Sequence, residues 1–398
     1  MPRGPALPVA AHLATRLAWR MLRHDPARLG AALAGVAVAA LLVLMQLGFQ
    51  ASLLDTAVRL LASFRGDLFL IHPTTTATFR PEPFPRARGW QALAEPEVLR
   101  ATPIAIGMLT WRDPTHTGEG WERRRMIQVI GLDLDQGAAD WPGLGPIVHL
   151  LRAPDTLAFD AASTEVYGDV TTRLAAEGPF EAQLGPRAMR VVGTIRLGAS
   201  FGADGNVVMS FENFRRVVPR APALADLVSL ELQPGADARA VQARLRALLP
   251  RDVEVLTAAE LVLRERRFWE AESPIGVIFG FGAATGLVVG LVVVYQILFS
   301  AVAAHIPEFA TLRAIGYGMP RLLLVVMGAA LLLAALGYVP GFAGAVWMYG
   351  LVGDAMGIPM IHTAERAMMV FALVFGMCGA SGAMAAAKLR QADPAALL

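Results

Sequence analysis

The chain has 398 residues, 55% hydrophobic and only 17% charged, with a mean hydropathy of +0.49. A soluble domain carries about 25% charged residues, so this composition marks an integral membrane protein with a substantial water-exposed part. The net charge of +2 is too small to suggest a nucleic-acid partner, and a lone cysteine, Cys378, excludes an intramolecular disulfide.

Asp, Glu, Lys and Arg are absent from four long stretches, 29–54, 273–307, 322–353 and 367–387. An apolar helix needs about 20 residues to cross a bilayer core, and a central charge costs roughly 2.5–3.5 kcal/mol. The expected fold is therefore integral membrane α-helical, with four transmembrane helices in a one-plus-three layout. A large α+β external domain separates spans 1 and 2. The divisions are 1–28 as an amphipathic N-terminal segment, 29–54 as span 1, 55–272 as the external domain, 273–302 as span 2 and 303–321 as an internal loop. Then come 322–353 as span 3, 354–366 as an external loop, 367–387 as span 4 and 388–398 as the tail.

At the N-terminus, Arg3, Arg16, Arg20, Arg23 and Arg28 are opposed only by Asp25. The positive-inside rule puts this end in the cytoplasm, and four crossings return Lys388 and Arg390 to the same side. The first apolar run exceeds the roughly 7–15 residues of a signal h-region and reads as a retained anchor. Arg16, Arg20 and Arg23 share one helical face beside Leu13, Leu17 and Met21. Either an amphipathic helix lying on the inner membrane surface or a cluster that only sets topology accounts for them.

Between 67 and 256 the pattern changes to short β-rich runs, at 67–72, 104–111, 126–132, 190–197, 207–211 and 227–232. A helix is expected over 236–249, with Val241, Leu245 and Leu248 on one face. A second, over 257–272, opens on a capping box of Thr257 and Glu260 and runs straight toward span 2. The glycine-rich stretch 198–206 reads as a turn between strands in preference to an anion cradle.

The second span carries Gly282, Gly286 and Gly290, and the third carries Gly337 and Gly341, with Pro340 expected to kink it. This small-xxx-small spacing allows close helix approach. Intramembrane charges that would mark an ion route are absent from the spans, which disfavours a pump or secondary transporter. Ser381 reads as a packing residue.

The loop after span 2 contains Pro307, Glu308, Phe309, Ala310, Thr311, Leu312, Arg313, Ala314, Ile315 and Gly316. Pro307 suits a helix N1 position and Gly316 the C′ position, while Glu308 and Arg313 complement the dipole. The result is a helix of about two turns whose Phe309, Leu312 and Ile315 need an apolar partner, either lipid or protein. A metal-binding role for His305 and Glu308, at i and i+3, lacks further ligands nearby.

The one-plus-three layout, the large external domain and the loop 308–316 together resemble the FtsX/MacB-like permease superfamily. The closing stretch 388–395 is similar to that family's C-terminus. The blocks 45–49, 197–206 and 294–298 are similar to its DevC-like members, although Ala303 and Ala304 depart from the more polar residues expected there. The resemblance implies a non-catalytic subunit, with Pro307, Glu308, Phe309, Thr311, Leu312, Arg313, Ile315 and Gly316 forming a coupling helix against a separate ATPase. It implies no cofactor in this chain, since ATP and Mg would be bound by that partner. The partners it implies are a DevA-like ATPase, a DevB-like periplasmic membrane fusion adaptor, a TolC-like outer-membrane channel and a second copy of the chain, all at a bacterial inner membrane with the large domain periplasmic. The substrate implied is lipid-like or amphipathic. An FtsX-like regulator of a cell-wall hydrolase and a lipoprotein-extraction permease are the alternatives. The residues add one point of their own. A P-loop needs Gly-Lys-Ser/Thr, and the one lysine, Lys388, precedes Leu389.

Overall fold

Long apolar helices and short strands segregate along the chain, and the computed structural model divides accordingly into two units, one of 1–52 with 274–398 and one of Leu53–Ser273. It describes residues 23, 26–112, 124–137, 139–198, 200, 202–218, 221, 223–304, 319–356 and 360–391. The expected coupling loop, the His305/Glu308 pair and most of the N-terminal amphipathic segment lie outside the described residues.

In the first unit the long helices are α1 (Pro26–Ser63), which continues into the second unit from Leu53, α8 (Pro274–Ala304), α9 (Met319–Met356) and α10 (Ala364–Gln391). Among the described residues, these four are long and apolar enough to cross a membrane. α1 begins before residue 29 and runs beyond 54, and α9 continues unbroken through Pro340. Ala32, Val36, Ala39, Ala40, Val43 and Leu44 form a buried stripe along α1 at helical spacing. The stripe packs with Val326, Leu333 and Ala334 of α9 and with Val370, Val374 and Cys378 of α10. The buried Ser381 hydroxyl donates to the Leu291 carbonyl at 3.1 Å, joining α10 to α8.

The second unit is α+β. Its strands are β1 (Leu68–Ile71), β2 (Phe84–Pro85), β3 (Val98–Arg112), β4 (Arg124–Leu132), β5 (Thr156–Asp160), β6 (Phe180–Leu184), β7 (Arg187–Ile195), β8 (Asn206–Ser210), β9 (Leu224–Ala225), β10 (Leu227–Leu232) and β11 (Glu254–Thr257). Nine of them form one mixed sheet in the order β11-β1-β10-β3-β4-β8-β5-β7-β6, while β2 and β9 pair separately. The β4–β8 and β5–β7 pairs are parallel. β6 also pairs with the far end of β3, Trp111 opposite Leu184, so the six strands from β3 round to β6 close on themselves.

The helices are α2 (Ala87–Ala92), α3 (Leu144–Leu151), α4 (Val170–Glu177), α5 (Phe211–Val217), α6 (Ala238–Leu248) and α7 (Ala258–Arg267). They cover both faces of the sheet, so β1 reads Leu-Phe-Leu-Ile with every residue buried. Phe69 and Ile71 pack with Ile104, Ile130 and Val208 on one face, and Leu68 and Leu70 with Val228, Val241 and Leu245 on the other.

Two expectations need correction here. Leu248 is exposed, and it is Gln242 that completes the buried face of α6, donating to the Val255 carbonyl at 3.0 Å. The helix from Thr257 does not run straight on. After α7 the backbone widens into a π-helical turn, Phe268–Glu272, and then goes extended at Ser273. Pro274 disfavours a helical conformation at the residue before it, which accounts for the break.

Candidate functional site

Two places collect the residues that the sequence marks out. The first is the helix seam of the membrane-type unit. A Cβ at Gly282 would lie 2.6 Å from Gln46 Nε2, one at Gly286 would lie 3.7 Å from Val43, and one at Gly290 would lie 2.6 Å from Ala39 Cβ. The partner numbers fall along α1 as they rise along α8, so the two helices are antiparallel. Gly337 meets Val36, and Gly341 meets Ala40 Cβ at 2.9 Å and the Ala37 carbonyl at 2.5 Å. These numbers rise together, so α9 runs parallel to α1. All five glycines thus bear on α1, and four admit no Cβ without a shift.

Two contacts in this seam carry polar atoms. Gln46 donates its amide to the Phe279 carbonyl at 3.3 Å. The buried Tyr349 hydroxyl donates to the Leu44 carbonyl at 2.5 Å, its ring filling the notch left by Gly48. Spacing within α8 or α9 alone gives no sign of the Gly48–Tyr349 pairing, because its two halves lie on different helices.

The second place is the turn between β7 and β8. Asp160, fully buried at the end of β5, organises it. One carboxylate oxygen accepts from the backbone of Ala162 and Leu197, each at 3.0 Å. The other accepts from the Gly198 N–H and the Asn206 side-chain amide, each at 2.8 Å. A buried charge is costly unless its lone pairs are satisfied, and here several donors converge on one carboxylate. The donors that would have cradled an external anion are thus directed at the protein's own. Gly198 takes φ +97°, a conformation open to glycine, and Ser200 and Ala203 exchange backbone hydrogen bonds to tighten the tip.

Close to this turn sits another buried carboxylate, Glu265 of α7. It accepts from the Thr78 N–H at 2.8 Å, the Thr78 hydroxyl at 3.0 Å and Trp269 Nε1–H at 3.0 Å. Burial pushes its carboxyl above the ordinary range, and these donors oppose that rise only in part. The capping box is present as read, with Glu260 held below the ordinary carboxylate range by the Thr257 backbone N–H. Among the described residues, no group of three or more His, Cys, Asp or Glu is placed to hold a metal ion.

Residues 280–394 match the family model described as FtsX-like permease C-terminal. This segment is similar to FtsX-like permease C-terminal domains. It takes in Gly282, Gly286, Gly290, Gly337 and Gly341 and the whole expected coupling loop. No curated protein matches the chain. Among solved structures, the periplasmic region of MacB from Actinobacillus actinomycetemcomitans aligns at 7% identity and a TM-score of 0.35, over 52% of this chain and 94% of its own length. The extracellular domain of the noncanonic ABC-type transporter YknZ from Gram-positive bacteria aligns at 14% identity and a TM-score of 0.34, over 48% of this chain and 99% of its own.

Proposed function

We propose that the chain is the permease subunit of a tripartite-type ABC exporter of the DevC-like kind, working as a homodimer in a bacterial inner membrane. The observation that carries this reading is the FtsX-like permease match over 280–394, which includes the loop from Pro307 to Gly316. A DevA-like ATPase docks on that loop and supplies ATP and Mg, consistent with the lack of a P-loop here. Its motion passes through the first two spans to the domain at 55–272, which is periplasmic, with both termini cytoplasmic. A DevB-like adaptor and a TolC-like outer-membrane channel complete the path for a lipid-like or amphipathic substrate. The glycine seam supports such a role physically. α1 meets glycines of both α8 and α9, reaching its backbone at Gly341 and its side chains at Gly282 and Gly290, close contacts that transmit displacement with little slack.

The test is affinity purification of the full chain from native membranes, with co-purifying proteins identified by mass spectrometry. A P-loop ATPase with a periplasmic adaptor is the expected result. An ATPase with a wall hydrolase would favour a regulator that moves no substrate, and absence of any ATPase in mild detergent would overturn the proposal.

A further inference from the structure

The segment between β1 and β2 has no regular structure, yet Thr75, Ala77 and Thr78 in it are buried. Exposed connections usually keep their backbone groups in water, so a buried one needs specific partners. Thr78 finds its partner in Glu265 through two hydrogen bonds to one carboxylate oxygen. The next residue, Phe79, faces two ways. Its ring lies 5.4 Å from that of Trp269 and 6.1 Å from that of Phe268, both in the π-helical turn. Its Cβ lies 3.0 Å from where a Cβ at Gly202 would stand, in the turn held by Asp160. On the other flank of the same turn, a Cβ at Gly198 would lie 2.6 Å from Arg59 Nη1, on the last turns of α1.

We infer that Thr78 and Phe79 form a clasp joining the Asp160-held turn 197–206 to the end of α7, so that the turn and the Phe268–Glu272 segment shift as one piece. Three observations carry it. The glycine at 202 removes the side chain that would hold Phe79 off. The π-helical turn carries both aromatic rings that meet Phe79, and such turns are frequent at functional sites. The Glu265 carboxylate binds both Thr78 and Trp269, tying strap and turn through one residue. Arg59 brings the last turns of α1 to the same node, so both chain connections of this unit report to the turn at 197–206. The use of such a relay in transport rests on the permease reading; the relay itself is a property of this chain alone.

The experiment is hydrogen–deuterium exchange by mass spectrometry on the full chain in lipid nanodiscs, without any partner. Two variants perturb opposite ends of the clasp. Phe79→Leu keeps the Cβ against Gly202 but loses the ring contacts. Trp269→Phe keeps an aromatic ring and removes the Nε1–H donated to Glu265. In both, several-fold faster exchange is expected at 197–206 and at 265–273, with β4 and β7 unchanged. Faster exchange confined to the neighbourhood of each substitution would overturn the clasp. Since no ATPase is present, that failure is distinct from a failure to recover one in the purification above.

Discussion

At the scale of single residues, the second unit is held by carboxylates used in opposite ways. Glu260 is ionised and caps α7 together with Thr257, one accepting from the other's backbone in each direction. Thr257→Ala removes half of that exchange and is expected to lower the unfolding free energy by about 1 kcal/mol, measurable by chemical denaturation in detergent. Glu265 is buried, and its folded-state proton affinity is raised by desolvation. The unfolded chain gives up that proton at the ordinary value of 4.5, whereas the folded chain keeps it to higher pH. In that window the folded state binds more protons, so its stability declines as pH rises from 4.5 through the raised value. Glu265→Gln carries no titrating proton, so the fall in melting temperature from about pH 4 to 8 should be shallower in the variant than in the parent chain. A parallel pair of curves would refute this. The Thr257–Glu260 box was legible because its residues stand three apart. Glu265 was not, because Thr78 lies 187 residues away and nothing local distinguishes it from an exposed glutamate on an amphipathic helix.

Among elements, the seam on α1 separates glycines that need to be glycine from one that does not. A Cβ at Gly341 meets the Ala37 carbonyl, part of a helix backbone that cannot rotate away, whereas one at Gly286 reaches only ordinary contact distance. Gly341→Ala should therefore destabilise by about 1–3 kcal/mol through overpacking. Gly286→Ala should be near neutral. Thermal unfolding of both in detergent checks the contrast, and equal losses would mean that spacing alone, without the facing helix, sets the cost. The charge-free runs announced the four helices, and the repeated small residues announced close packing. The facing residues on α1 could not be read, since Ala, Val and Leu recur throughout it. In the second unit, β5 (Thr156–Asp160) was missed although β1, equally buried along its whole length, was read. Thr156 and Asp160 leave β5 only three apolar residues, too short a run to stand out. β7, buried at every second residue over most of its length, announced itself.

For the whole molecule, the proposed permease role calls for a partner that supplies the nucleotide site. Replacing Glu308 and Leu312 together should abolish recovery of the ATPase with the full chain while leaving membrane insertion unchanged. Undiminished recovery would count against the coupling role of that loop. The layout of the sheet carries a consequence of a different kind, in time. β1 lies between β10 and β11, hydrogen-bonded to both. Its four residues are made about 155 residues before β10 begins, and synthesis proceeds at about 5–20 residues per second. For roughly 8–30 s, then, a short, wholly apolar strand lacks both of its hydrogen-bonding neighbours. That interval leaves Leu68–Ile71 open to pairing with other chains and a fit client for a holding chaperone; a charge placed there would blunt such pairing but would stand buried and unpaired in the finished sheet.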